Sequence, residues 1–128
     1  MVRVENKVAL ISGAASGVCL SYARRLAAEG ATVVLADINT EQGSAAAAGI
    51  PGESFEYLDV SREDNWISLV DAVVARYGRV DVLLNAAGIV QLASIEETDE
   101  ALWRKINAVG TDGTFFGCKH SLRVMKTA

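Results

Sequence analysis

Residues 12–19 read Ser12-Gly13-Ala14-Ala15-Ser16-Gly17-Val18-Cys19, with two glycines and two hydroxyls between an apolar run and an amphipathic one. A glycine loop at such a junction turns where a Cβ would obstruct and lets an anion approach the main chain. The helix that follows offers free N–H groups and the positive end of its dipole, which suits phosphates. A lone loop of this kind is also an ordinary turn. Asp37 ends the next apolar run, about 20 residues after Gly17. A carboxylate there accepts hydrogen bonds from a ribose 2′-hydroxyl and repels a 2′-phosphate. No cation stands beside it, because Ile38 and Asn39 follow. Capping of the helix that starts at Thr40 is the alternative use of Asp37. Together the two features point to a dinucleotide without a 2′-phosphate.

The elements that must position these residues are legible as periodicity. Lys7–Ile11 is a continuous apolar run, as in a strand buried on both faces. A helix over Val18–Glu29 stops at Gly30. Ala31–Ala36 reads as a second buried strand, Thr40–Ala48 as a helix ended by Gly49 and Pro51, and Ser54–Val60 as a third strand. Ser61-Arg62-Glu63-Asp64 has the form of a capping box. The helix after it carries Trp66, Leu69, Val70, Val73, Val74 and Tyr77 on one face and stops at Gly78. Val80–Asn85 is a fourth strand. Thr98 or Asp99 opens a last long helix with Leu102, Ile106, Val109 and Phe116 on one stripe. The order β-α-β-α-β-α-β-α implies right-handed βαβ units and a parallel sheet.

Bulk properties bound the function. The chain has 128 residues, one domain's worth, with 51% hydrophobic and 22% charged residues. Its net charge of −4, and the lack of any basic cluster beyond Arg24-Arg25, argue against nucleic acid as a partner. No apolar run spans a bilayer, and the charged start lacks a signal-peptide core. A soluble, cytoplasmic protein with no membrane partner is expected. Cys19 and Cys118 form neither a metal spacing nor a disulfide framework.

The loop at Ser12–Cys19 resembles the T-G-x-x-x-G-x-G signature of short-chain dehydrogenases/reductases, with Ser12 in the threonine position. Further segments are similar in register: Asp59-Val60 after the third strand, and Asn85-Ala86-Ala87-Gly88, which is similar to the family's N-N-A-G. The resemblance implies an α/β fold with a Rossmann-like doubly wound parallel sheet, truncated after its last helix, and one incomplete dinucleotide-binding domain over residues 1–128. It implies NAD as cofactor. The cofactor-binding residues would be Ser12, Gly13, Ala15, Ser16, Gly17, Val18, Asp37, Ile38, Asp59, Val60, Asn85, Ala86, Ala87 and Gly88. Asp59 and Val60 would meet the adenine. Asn107 would be the catalytic-site asparagine that holds the family's lysine through water. Cys19 stands where a third glycine is expected. Overpacking there would weaken cofactor binding by about 1–3 kcal/mol, unless the fold seats it as a small buried hydrophobe.

The family's chemistry needs a serine, and a tyrosine with a lysine four residues later. Tyr22, Tyr57 and Tyr77 are not followed by lysine at that spacing. The chain as written is therefore expected to lack the Ser, Tyr and Lys and to be inactive alone. One reading is part of an NAD-dependent oxidoreductase acting on CH–OH groups, with an alcohol or ketone substrate. The other is a catalytically inactive module that binds a dinucleotide or dimerises. Gly110, Gly113 and Gly117 near one helical face would admit another helix, and a homo-oligomer through the last helix is expected on that basis. His120 is read as a surface cap on the helix dipole. Trp66 and Trp103 are read as core or helix-contact residues. Without a fifth strand, the fourth would be an exposed edge prone to aggregation.

Overall fold

Four short strands pair into one parallel sheet. The computed structural model describes residues 2–14, 17–50, 54–89 and 91–126. The strands are β1 (Val8–Ser12), β2 (Thr32–Asp37), β3 (Ser54–Tyr57) and β4 (Val82–Asn85). Their order in the sheet is β3-β2-β1-β4, so the chain winds outward from β1 and then crosses back to its other side. Leu10 lies opposite Val34 on one neighbour and Leu83 on the other. The helices are α1 (Gly17–Ala28), α2 (Thr40–Ala48), α3 (Glu63–Tyr77), α4 (Glu100–Asn107) and α5 (Gly113–Met125).

Both faces of the sheet are covered at its centre, which explains why β1 and β2 read as apolar runs. Successive strand residues point to opposite faces. Val8, Leu10, Val34 and Ala36 pack with Leu58, Trp66, Leu69, Val70 and Val73, on the side of α3 and α5. Ala9, Ile11, Val33 and Leu35 pack with Cys19, Ala23, Ala47 and Ile50, on the side of α1 and α2. Trp66 is fully buried, and its indole N–H donates to the Val60 carbonyl at 3.0 Å. Tyr77, at the far end of the same helix, bonds Ser54 at 3.1 Å.

Several local expectations fail for identifiable reasons. The capping box at Ser61 does not form, and α3 starts after Arg62 with no side-chain cap bond. Ser61 instead donates its N–H and its hydroxyl to Asp59 Oδ1, at 3.0 and 2.6 Å. An Asx turn has taken the hydroxyl that a cap would have used. The last long helix exists but is interrupted by a π-helical segment, Ala108–Asp112, which holds Gly110. Such segments are single-turn irregularities inside α-helices. Trp103 is not core, being 64% exposed.

His120 is not a surface cap. It is buried, with Nε2 2.8 Å from Glu63 Oε2. The Lys119 ammonium donates to the same oxygen at 2.9 Å. Those bonds, the Lys119 one first, hold the Glu63 carboxyl below its ordinary pKa. The contact joins α5 to the first turn of α3, across a sequence gap that helical periodicity cannot bridge. The expected helix–helix use of the glycines is also redirected. A Cβ on Gly117 would lie 2.7 Å from Asn85 Oδ1 and 2.8 Å from Trp66 Cη2, and one on Gly113 would lie 3.0 Å from Val60. The small face of α5 is used within the chain, to seat the helix on α3 and the sheet edge.

The N-terminal segment is tied down by Glu29, a buried acid that accepts from both Arg3 and Arg25. These bonds hold its pKa down at about 2, against an ordinary 4.5. A depressed carboxylate stabilises the fold above its unfolded pKa and loses that contribution as pH falls through its folded one. The stability gap between the wild type and Glu29→Gln, read from urea unfolding, should be constant above about pH 5.5 and shrink between about pH 4.5 and 2. A gap that does not change with pH would contradict this assignment.

Candidate cofactor site

The carboxyl ends of the four strands open on one cleft of about 400 Å³. Crevices at this end of a doubly wound sheet, where the strand order reverses, are where such folds bind ligands. The reversal here lies between β1 and β4. Gly13, Asp37, Ile38, Asp59, Val60, Ala86, Ala87 and Gly88 line the cleft together. Residues from four separate segments thus converge on it.

The loop at Gly13 meets the loop at Ala86 and Ala87 main chain against main chain. Gly13 has φ +69°, and a Cβ there would lie 2.6 Å from both N and Cα of Ala87. Only glycine meets both conditions, a left-handed turn and a neighbour at that distance. Ser12 reinforces the seam from within the sheet. Its buried hydroxyl donates to Leu84 O at 3.4 Å and accepts from Ala86 N–H at 3.3 Å. The Ser12 side chain therefore fixes the loop after β4 and does not line the cleft.

The remaining motif residues divide by what their atoms touch. Asp37 Oδ1 accepts from Asn39 N–H at 2.9 Å. The cap of α2 is Asn39, whose Oδ1 accepts from Gln42 N–H, so Asp37 is not the capping residue. Asp59 anchors Ser61 while its N–H donates to Asn65 Oδ1 at 3.3 Å. Asn85 turns toward α5, with Nδ2 3.5 Å from Cys118 Sγ, and does not line the cleft. Gly17 opens α1 with nothing within 4 Å of its Cβ position, and Val18 beside it is 64% exposed. Ala15 and Ser16 lie outside the described residues. Asn107 does not line the cleft either; its Nδ2 donates to Trp103 O at 2.9 Å and its Oδ1 accepts from Thr111. Cys19 is buried in the core with Ala9, Ile11 and Ala23, as a small hydrophobe would be.

Four lining residues were not singled out as cofactor ligands from the sequence: Leu58, Ile89, Lys105 and Val109. Lys105 and Val109 come from the last helix, and Val109 was seen only as part of an apolar stripe. Their i, i+4 spacing was the available signal for a shared face. What that face meets is set by the seating of α5 on Val60.

The sequence model described as short chain dehydrogenase matches residues 7–128. The chain belongs to the short-chain dehydrogenase family. Trans-4-hydroxycyclohexanecarboxylate dehydrogenase from Sinomonas cyclohexanicum is 42% identical, over 98% of this chain and 52% of that protein. Tropinone reductase-like 1 from Erythroxylum coca is 41% identical, over 96% of this chain and 47% of that protein. A crystal structure from Brucella melitensis, described as a short-chain dehydrogenase/reductase and glucose/ribitol dehydrogenase, matches with a TM-score of 0.91 at 30% identity, over 94% of this chain and 52% of that one. This short-chain dehydrogenase chain spans about half the length of the curated relatives it matches.

The seam at Gly13 gives the site its most demanding position. Gly13→Val should lower stability by about 3 kcal/mol, from the left-handed backbone and the clash with Ala87 combined. The midpoint of urea unfolding measures it, and a midpoint within error of the wild type would show that the loops do not meet this closely.

Proposed function

We propose that this chain is the NAD(H)-binding portion of a short-chain dehydrogenase that transfers hydride between NAD and an alcohol or ketone. The observation that carries the reading is the convergence of the Gly13 loop, Asp37, Asp59-Val60 and Ala86–Gly88 on one cleft at the carboxyl edge of the sheet. The donor and acceptor set suits a dinucleotide. Ile38, Leu58, Val60 and Val109 supply apolar walls for a planar base. Asp37 accepts from the ribose hydroxyls and disfavours a 2′-phosphate. The opening turn of α1, at Gly17 and Val18 with Ala15 and Ser16 before it, offers N–H groups to the diphosphate. Gly13 and Ala86–Gly88 keep main chain, not side chains, against the floor of the cleft.

The nicotinamide, when bound, supplies the hydride acceptor or donor. This chain's residues bind and orient it. Tyr22, Tyr57 and Tyr77 do not line the cleft. The proposal places the proton-transferring tyrosine and lysine outside residues 1–128, so these residues alone bind the cofactor without turning over substrate. It also gives Asn107 no contact with the cofactor, and it places the protein in the cytoplasm, where the dinucleotide pool would serve it. Among the described residues, no helix is long and apolar enough to cross a membrane.

A second reading, a module that pairs with its own copy, draws on the exposed Trp103, Phe115 and Leu122 of α4 and α5. A homo-oligomer through this helix is compatible with the first reading as well.

Calorimetric titration tests the cofactor assignment. NAD should bind more tightly than NADP. Asp37→Ala should raise the Kd for NAD about tenfold and narrow the preference. A preference unchanged by Asp37→Ala would remove the role given to that carboxylate.

A further inference from the structure

Lys105 is the single cation among the described residues that line the cleft, which also holds the carboxylates of Asp37 and Asp59. The arrangement poses an electrostatic problem. A dinucleotide brings an anionic diphosphate into a cleft that already contains two acids, in a chain of net charge −4. Like charges at this range disfavour binding unless a cation offsets them.

The position of Lys105 follows from how the last helix is seated. Gly113 lies against Val60 at the end of β3. Val109 packs on the core beneath and also lines the cleft. Lys105 lies one turn before Val109 and lines the same cleft. The neighbouring charges are already engaged elsewhere. Arg104 pairs with Glu100 at 2.7 Å, while Lys105 has no ion pair among the described residues. Its ammonium is exposed and borne on a flexible stem, so it can swing over an occupant without first breaking a bond.

We propose that Lys105 is a specificity-determining residue of the cofactor site, whose ammonium bonds phosphate oxygens of the adenylate half and offsets Asp37. The inference rests on the dinucleotide reading above and adds to it the source of the charge balance. It has a consequence for cofactor choice. Asp37 sets the preference against a 2′-phosphate, and Lys105 limits how steep that preference is. Removing Lys105 should therefore weaken binding of both dinucleotides, and the 2′-phosphorylated one more.

The test is titration of NAD and NADP against the wild type, Lys105→Gln, Lys105→Arg and Arg104→Gln at several salt concentrations, with circular dichroism to verify folding. Lys105→Gln should raise the Kd for NAD about threefold to tenfold and that for NADP by a larger factor. It should also flatten the salt dependence of NAD binding. Lys105→Arg should restore most of the affinity, and Arg104→Gln should leave it unchanged. Wild type that binds NAD, with Lys105→Gln binding both dinucleotides as tightly, overturns this inference and leaves the cofactor assignment standing. An equal loss for both dinucleotides with an unchanged salt slope also overturns it, because that pattern belongs to a packing role. Wild type that binds neither dinucleotide overturns the cofactor assignment itself, and this inference with it.

Discussion

The main chain at Gly13 lies against the main chain at Ala86 and Ala87, closer than any side chain would permit. Much of the site depends on that approach. It brings the loop after β1 and the loop after β4 to one floor, and Ser12 holds them there through Leu84 and Ala86. β1 and β4 are neighbours in the sheet but are separated in sequence by two other strands and three helices. Their pairing creates the point where the strand order reverses and the cleft opens. A larger residue at 13 would push the β4 loop away.

The second organising contact is the seating of α5. Gly113 and Gly117 let the helix approach Val60, Trp66 and Asn85 at close range. Trp66 is held by Val60, and Glu63 by Lys119 and His120. The first bond joins α3 to the segment after β3 and the other two join α5 to α3, so the two helices and that segment form one block. The π-helical segment joins α4 to α5. Val109 lies within it and Lys105 three residues before it, and both line the cleft. Glycines in a helix cost about 1 kcal/mol each in propensity, and the packing they allow around Trp66 offsets that cost.

The electrostatics of the fold are mostly local and structural. Glu29 secures the N-terminal segment to the end of α1 through two arginines. Asp81 accepts from the Val8 N–H and pairs with Arg79, which fixes the start of β4 against β1. These acids are engaged by cations or main chain. The acids of the cleft, Asp37 and Asp59, bond main-chain N–H groups of the turns that follow them and line the crevice.

The sequence by itself determined the alternation of strands and helices, the two-sided burial of β1 and β2, and the glycine and acid positions at the strand ends. Those features are written in local periodicity and in backbone demands that only certain residues meet. It could not show which atoms of the motif residues face the cleft. Ser12 and Asn85 belong to motifs that suggest ligand contact, yet their side chains bond the β4 loop and α5 instead. Ser61 read as a cap and became the partner of Asp59, because two local hydrogen bonds competed for one hydroxyl. His120 read as exposed, and a carboxylate from α3 buried it. Lys105 carried no motif at all. Its place in the cleft depends on where α5 packs, which is a property of contacts between residues far apart in the chain. Only the tertiary structure decides those contacts, because they depend on volumes and distances that no single stretch of sequence contains.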